Sequence, residues 1–548
     1  MKYYAFLFIL VLLVVACKKD DNPGQPDSFY YTDVSIDGKP VASSYYNVRT
    51  FPVVKVSFSG KVNSATVAAN VVFKKTSTST NVPFDVVLEN SDSTILIGPK
   101  NPLENLTKYT VQVLPQLQSQ KNTAFNATVT TEFITVMDST DKFPRISDEA
   151  LLDLVQKQTF AYFWNFGHPT SGMARERNTS GDIVTTGGTG FGIMAVLVAV
   201  ERNFITRQEG YDRIKLIANF LKTKATPYHG AFAHWINGAT GATVAFSTKD
   251  NGADLVETSY LMQGLLTARQ YFSNANEAEL RSTINELWQN VEWSWFRKNN
   301  ENVLYWHWSP NYTWDMNMQI SGWNEALITY VLAASSPTYS IPKEAYTNGW
   351  ARNGSMVNNK TFYSIKLPLG PDRGGPLFFA HYSFLGIDPR GLSDTYANYW
   401  EQNVAHSLIN YNYCKENPKK YNGYSDSCWG LTASDDNISG YAAHEPNNDL
   451  GIISPTAALS SMPYTPEESM KALHFFYYKL GDKIWKQYGF VDAFNLSNIW
   501  YADSFLAIDQ GPIIVMIENH RSQLLWNLFM SCPEVKAGLQ KLSFQSQK

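Results

Sequence analysis

Several features are scarce in this chain of 548 residues, and each scarcity excludes a class of protein. The formal net charge of −4 leaves no basic excess to neutralise phosphates, which argues against a nucleic-acid partner. The sequence contains neither an HExxH motif nor paired CxxC motifs, so we expect no bound metal. It has no GKS or GKT sequence, and the glycines from 188 to 192 follow no convincing strand, so we expect no cofactor.

Cysteine is also rare. Beyond Cys17 the chain has only Cys414, Cys428 and Cys532, and an odd number outside the cytoplasm allows at most one disulfide. Cys414 and Cys428 are close enough in sequence to pair, but they could equally stay free. We assign none of the three a catalytic role.

The first residues are typical of an exported protein. The apolar run from Tyr4 to Val15 is shorter than a bilayer-spanning helix and is followed by Ala16-Cys17. Residues 1–17 therefore resemble a bacterial lipoprotein signal in which Cys17 becomes the lipidated terminus; an ordinary signal peptide is the alternative. We expect an outer-membrane lipoprotein, anchored through Cys17 and facing the periplasm or the cell exterior.

The rest of the chain changes character along its length. Residues 18–28 are polar and read as a tether. From 29 to 137, Val- and Thr-rich segments alternate with period two between turns, which predicts a small all-β, immunoglobulin-like sandwich. From 140 to 545 the period is helical, beginning near a cap at Ser147, and long aromatic-rich loops separate the helices. The pattern favours a mainly α domain, an (α/α)6 toroid of paired helices with a cleft at one end.

Three carboxylates in the helical part have a spacing that a helix built only for stability would rarely choose. Asp250, Asp254 and Glu257 stand at i, i+4 and i+7, so a helix running through them would project all three from one face. Like charges placed in this way repel each other. Sugar-cleaving enzymes use carboxylates as acid and base beside aromatic rings, so we predict catalytic roles here.

Two further catalytic candidates lie near predicted helix starts: Glu325 in the first turn of one helix, and Asp509 just before another. A helix dipole would lower the pKa of Glu325, whereas burial against tryptophans would raise it, and sequence alone does not decide between them. Asp509 precedes Gln510-Gly511-Pro512 and could simply cap the helix that follows.

The loops between the helices supply side chains suited to binding a sugar. Flat rings stack on the apolar faces of pyranoses, and polar side chains bind hydroxyls. We expect substrate contacts from the following residues: His229, His234, Trp306, Trp308, Trp314, Trp323, Tyr382 and Arg175.

A string of motifs in this part resembles one known family. They include HPTSGMARER, TTGGTGFGIMA, KDNGADLVETSYLMQGLL, LYWHWSPNYTW, GWNEALITYVLAASSP and AIDQGPIIVMIENHRS. The string resembles the glucoamylase-like domain of bacterial lipoproteins, which includes glycoside hydrolase family 144, the β-1,2-glucanases. The resemblance implies an (α/α)6 barrel and hydrolysis of β-1,2-glucan with inversion. It implies that Glu325 is the acid and matches Asp509 to the base, with Asp250, Asp254 and Glu257 as other acidic cleft positions.

We therefore expect a monomeric glycoside hydrolase that acts on β-1,2-glucan or its oligosaccharides. Two alternatives stay open. One is a non-catalytic glycan-binding lipoprotein, which would need the aromatics but not the carboxylates. The other is a different glycosidase, or a lyase, on the same barrel; a lyase would need cationic groups such as Arg175 to neutralise a uronate.

Overall fold

The computed structural model describes residues 28–40 and 45–546, which divide into two compact units, one up to Met137 and one from Asp138 onward. The predicted signal, almost all of the tether, and Cys17 lie outside the described residues. Within the described residues, no helix has the length and apolar character needed to cross a membrane.

The described part of the first unit is a sandwich of two sheets. Its strands, with one short helix, are β1 (Tyr31–Ile36), β2 (Lys39–Pro40), β3 (Tyr45–Val48), β4 (Val54–Phe58), α1 (Ser64–Asn70), β5 (Val71–Lys75), β6 (Phe84–Glu89), β7 (Thr94–Pro99), β8 (Lys108–Val113) and β9 (Val129–Thr135). One sheet has the strand order β2-β1-β4-β7-β6 and the other β3-β9-β8-β5, in which only β3 and β9 run parallel.

Alternating side chains form the core of this sandwich. Val54, Val56 and Phe58 of β4 are buried while the residues between them are partly exposed, as a period of two requires. Phe58 packs against Phe29 and Phe125, with ring centroids 5.2 Å and 5.7 Å away. The predicted all-β unit is confirmed.

The second unit is largely helical. Local signals account for several helix starts: the Ser147 side chain accepts from Ala150 N, and Thr206 forms a reciprocal capping box with Glu209. The helices are α2 (Asp148–Trp164), α3 (Thr186–Glu201), α4 (Arg207–Thr223), α5 (Leu255–Tyr271), α6 (Ala278–Gln289), α7 (Leu327–Ser335), α8 (Tyr399–Glu416), α9 (Pro455–Leu459), α10 (Pro466–His474), α11 (Gly481–Ile484), α12 (Ala507–Arg521), α13 (Leu524–Met530) and α14 (Pro533–Lys541).

Six inner elements close into a ring. Helix α3 packs against α5 and α12, α5 against α7, α7 against the 3₁₀ turn Tyr382–Leu385, and α9 against α12. A 3.0 Å contact between His381 Nε2 and Ser461 Oγ joins that 3₁₀ segment to the residues after α9. The inner helices are buried on almost every face, whereas α4, α6 and α10 bury one face only. Outer helices pack behind them, which gives the predicted toroid.

Glycine allows the tightest contact in this ring. A Cβ on Gly190 would stand 2.1 Å from the carbonyl oxygen of Tyr260, and one on Gly264 would stand 2.3 Å from that of Gly190. Helices α3 and α5 therefore touch backbone to backbone, which only glycine at these two positions permits.

Short antiparallel strand pairs shape the loops of this unit. They are β10 (Ile183–Thr185), β11 (Trp235–Asn237), β12 (Thr243–Val244), β13 (Ala253–Asp254), β14 (Leu304–Tyr305), β15 (His307–Trp308), β16 (Gln319–Ile320), β17 (Thr361–Phe362), β18 (Ile365–Lys366), β19 (Ala433–Asp436), β20 (Gly440–Ala443), β21 (Trp485–Lys486), β22 (Gly489–Phe490), β23 (Phe494–Asn495) and β24 (Trp500–Tyr501).

The cysteines of the helical unit are buried free thiols. Cys414 and Cys428, whose pairing the sequence left open, form no disulfide, and Cys532 is also unbridged. Burial raises the pKa of each of the three thiols, so none is poised to act as a nucleophile.

Candidate active site

A cavity of about 380 Å³ lies at one end of the helical ring. Its wall includes residues at or just before the N-terminal ends of four inner helices: Thr185 before α3, Glu257 in α5, Glu325 before α7 and Leu506 before α12. The full lining is Glu176, Arg177, Thr185, His234, Trp235, Phe246, Glu257, Tyr260, Trp306, Glu325, Tyr382, Tyr441, Leu506 and Ile508. The cavity thus combines acids with flat rings.

Asp254 begins helix α5 and is fully buried behind the cavity wall. One carboxylate oxygen accepts from Val256 N at 3.0 Å and Glu257 N at 2.9 Å, as an N-cap does. The other accepts from Trp306 Nε1 at 3.2 Å. Burial alone would raise the pKa of Asp254, but hydrogen bonds from His234 and His307 outweigh it and hold the pKa well below its usual value.

The helix predicted to run through Asp250 begins later than the spacing suggested. Asp254 is the cap and Asp250 lies in a tight turn with Ser247, so only Glu257 projects from α5. Asp250 still reaches the same cluster, because His307 Nε2 lies 3.2 Å from Asp250 and 3.5 Å from Asp254. Those two carboxylates outweigh the burial of His307 and raise its pKa to about 10, so it is an imidazolium.

Glu257 reaches from α5 to the start of α3. Its Oε2 accepts from Gly187 N at 2.7 Å and from Thr185 Oγ1 at 3.3 Å. Burial raises the pKa of Glu257, and the charge of Asp254 adds to this, while the His234 cation and the Gly187 N–H oppose it. Glu257 is therefore a partly desolvated carboxyl within the cavity wall.

Glu325 lies two residues before α7, not in its first turn as the sequence suggested. Its backbone carbonyl accepts from Ser383 Oγ and from Tyr260 Oη, which fixes the residue between two neighbouring inner elements. Burial first, and then the charges of Glu257 and Asp254, raise the pKa of Glu325 to about 7 against the lowering effect of its own backbone N–H. Desolvation therefore prevails over any helix dipole, and the side chain can hold a proton near neutral pH.

His234 brings a positive charge into the cavity. Its Nδ1 lies 3.2 Å from Asp254 Oδ2, and its ring stacks on Phe246 with centroids 4.2 Å apart. Burial would lower the pKa of His234, but Glu257 and Asp254 outweigh it and raise the pKa to about 9.

Asp509 lies in the first turn of α12 and does not cap it, because Leu506 occupies that position. Its carboxyl is buried and hydrogen-bonded to that of Asp492, whose Oδ2 accepts from Asp435 N at 2.7 Å. Burial and then the Asp492 charge raise the pKa of Asp509, and burial raises that of Asp492 to about 7. Two carboxyls in hydrogen-bond contact share one proton, so the pair is not fully ionised.

Two charged residues of the wall, Glu176 and Arg177, are not among the substrate contacts predicted from the sequence. Arg177 Nε lies 3.0 Å from Glu176, and its Nη1 lies 3.1 Å from both oxygens of Asp435. The predicted Arg175 does not line the cavity; its guanidinium lies over Phe166, 4.6 Å from the ring centroid. Arg175 forms a β-bridge with Val184, and alternation along an extended segment turns its neighbour Glu176 to the opposite side. Arg177 follows a separate pairing, a β-bridge with the cavity residue Leu506.

The predicted sugar-binding residues fall into two groups. His234, Trp306 and Tyr382 line the cavity. The others lie elsewhere: Trp323 packs in the core near Phe384 and Tyr399, while His229, Trp308 and Trp314 gather around Trp295. His229 stacks on Trp295 with centroids 3.4 Å apart and contacts Glu292 at 2.8 Å.

Potential metal ligands also converge at the wall. Single ligand atoms of His234, Asp250 and Asp254 all lie within 4.8 Å of one another. The imidazolium of His307 already lies between the two carboxylates, and the Trp306 N–H already binds Asp254. This arrangement neutralises the acids with protein cations.

A ring of paired helices that holds several acids and aromatic rings around one cavity is an (α/α)6 barrel with the kinds of side chain that glycosidases use. Residues 317–533 match the glucoamylase family model, and residues 37–135 match the model of the bacterial Ig-like domain. The chain is 53% identical to the endo-β-1,2-glucanase from Chitinophaga pinensis solved with sophorotriose and glucose, with a TM-score of 0.72, covering 73% of this chain and 99% of that one. For the β-1,2-glucanase from Parabacteroides distasonis the identity is 40%, the TM-score 0.71, and the coverage 94% of this chain and 73% of that one.

A curated relative adds to these structures. The exo β-1,2-glucooligosaccharide sophorohydrolase (non-reducing end) of Parabacteroides distasonis is 50% identical over 422 residues, which span 72% of this chain but only 58% of that protein. With these relatives, the chain belongs to the glucoamylase-like family that includes glycoside hydrolase family 144.

Proposed function

We propose that this chain hydrolyses β-1,2-glucan or β-1,2-gluco-oligosaccharides. The observation that carries the proposal is Glu325, a carboxyl on the cavity wall whose pKa burial raises to about 7. A glutamate that keeps its proton near neutral pH suits the general acid of a glycosidase. A protein that only bound glycans would have no need of such a group. The relatives named for β-1,2-glucan chemistry support the choice of linkage.

The reaction follows from these groups. Glu325 donates its proton to the glycosidic oxygen, directly or through a substrate hydroxyl, as the bond from that oxygen to the anomeric carbon breaks. Water attacks the opposite face of that carbon and a base takes its proton, which inverts the configuration. We assign the base to Asp509 because of the family resemblance. Asp509 is not among the residues that line the cavity, although its neighbour Ile508 is, and the proton shared with Asp492 leaves one carboxyl of the pair ionised. Glu257 and Glu176 are the alternatives on the cavity wall. Asp254 already makes five hydrogen bonds or close contacts, which leaves it a positioning role.

The test uses linear β-1,2-glucan and the purified chain. We expect reducing ends to appear, with short β-1,2-linked products, and proton NMR of the first products to show the inverted anomer. Starch, an α-1,4-glucan, serves as the matched control. The name glucoamylase-like describes the fold, so we expect the chain to release no sugar from starch. Formation of an unsaturated, ultraviolet-absorbing product would instead support a lyase. Absence of any product from β-1,2-glucan would refute the proposal.

We also propose that the protein is a monomer anchored to the outer membrane by a lipid on Cys17. The sequence of residues 1–17 supports the anchor. Membrane fractionation of the wild type and of Cys17→Ala tests it, with loss of membrane attachment expected in the variant. Light scattering of the chain without residues 1–17 tests the monomer.

A further inference from the structure

A hairpin carries an exposed tyrosine to the edge of the cavity. It is formed by β19 and β20, and its register pairs Asp435 with Tyr441. Tyr441 belongs to the cavity wall, yet 46% of its surface is exposed. A large ring left open to solvent on the wall of a sugar-sized cavity offers a face on which a pyranose can stack.

The hairpin is fixed in place from two sides. Both carboxylate oxygens of Asp435 accept from Arg177 Nη1 at 3.1 Å. Its Oδ2 also accepts from Ser504 Oγ at 2.6 Å. Charge-assisted contacts of this kind are stronger than neutral hydrogen bonds. At the turn, Asp436 accepts from Ile438 N at 2.7 Å, which closes the loop between the two strands. The position of Tyr441 is therefore set by the cavity wall itself, since Arg177 is part of that wall.

We propose that Tyr441 is a specificity-determining residue: its ring is a platform for one glucosyl unit, and the fixed hairpin limits how many units extend past it. This inference rests on the proposed function. Two relatives of this chain, one named as an exo enzyme and one as an endo enzyme, each match nearly three quarters of it, 72% and 73%. Local features at the cavity, of which this hairpin is one, can therefore differ in their effect on chain-length preference between similar chains.

The test compares four variants with the wild type on linear β-1,2-glucan and on short oligosaccharides. Tyr441→Ala should raise KM about tenfold, the effect of losing one ring contact, while kcat stays within about twofold. Its products should spread over more chain lengths. Tyr441→Phe keeps the ring and should raise KM far less than Tyr441→Ala does, which separates stacking from any contact of the hydroxyl. Asp435→Asn weakens the contact with Arg177 and should broaden the products in the same way as Tyr441→Ala.

Ile438→Ala is the matched control, because Ile438 is 57% exposed on the same hairpin but does not line the cavity. It should leave KM and products unchanged. Oligosaccharide binding to Glu325→Gln, with and without Tyr441→Ala, gives a second readout by calorimetry that needs no turnover. Unchanged KM, binding and products in Tyr441→Ala would overturn this inference alone. A wild type that leaves β-1,2-glucan intact would overturn the proposed function and this inference together.

Discussion

Replacement of Glu325 by glutamine should remove activity and, at the same time, remove a pH-dependent loss of stability. In the folded chain the pKa of Glu325 is about 7, against an ordinary value of 4.5. The folded state therefore holds this proton more tightly than the unfolded state does. That contribution to stability is fully present below about pH 4.5 and is lost as the pH rises to 7. The difference between the two pKa values corresponds to about 3 kcal/mol.

Glutamine has nearly the same shape as glutamate and does not ionise. The free energy of unfolding of Glu325→Gln, relative to that of the wild type, should therefore rise by about 3 kcal/mol between pH 4.5 and pH 8. Urea unfolding followed by tryptophan fluorescence measures this for the helical unit, because all 15 tryptophans lie at or after Trp164. The same variant should lose at least about a hundredfold in kcat.

Two results would refute this reasoning. If the stability difference between variant and wild type were the same at both pH values, Glu325 would not be the desolvated acid described above. If the variant kept wild-type turnover, Glu325 would have no part in the mechanism. A wild-type activity that falls as the pH rises through about 7 is the matching kinetic sign.

Further predictions concern the neighbours of Glu325 and the helix contact behind it. Glu257→Gln removes a charge that raises the pKa of Glu325, so the alkaline limb of the kcat–pH profile should move to lower pH; an unmoved limb would contradict this. Asp509→Asn should reduce kcat at least about a hundredfold with KM little changed, whereas near-normal turnover would transfer the base role to a carboxyl of the cavity wall. Gly190→Ala should destabilise the chain by about 3 kcal/mol or more in urea unfolding, since the new Cβ meets a backbone carbonyl at 2.1 Å. Gly60→Ala, whose Cβ meets only Phe29 at 3.9 Å, is its neutral control.

Periodicity predicted the two-part fold because each unit repeats one simple pattern. The alternation in β4 and the long apolar segments of α3 and α5 are readable without tertiary information. The first residue of α5 could not be predicted, because an aspartate that caps a helix and an aspartate inside its first turn look alike in sequence. Hydrogen bonds from backbone N–H groups decide that Asp254 is the cap.

The candidate site was predicted in part. His234, Trp306, Tyr382, Glu257 and Glu325 meet at one cavity, and motif reasoning had selected all five. The direction of a side chain in an irregular loop depends on its pairing with distant residues, which a single sequence does not supply.

For this reason the sequence predicted a substrate contact from Arg175, whose side chain lies over Phe166, while its neighbours Glu176 and Arg177 line the cavity. The only available signal was their charge, in a loop otherwise made mostly of small and polar residues. The proton shared by Asp492 and Asp509 was equally hidden, since 17 positions of chain separate them.

The cavity wall includes residues at or just before the N-terminal ends of four separate inner helices, all at the same end of the ring. Each entering loop can therefore lengthen, shorten or change its residues without disturbing the backbone contact between α3 and α5 that holds the ring together. In such a scaffold, mutations in the loops can change which glycans the cavity accepts while the ring of helices stays the same. Exchange of whole entry loops between relatives would be a practical route to enzymes with new product sizes.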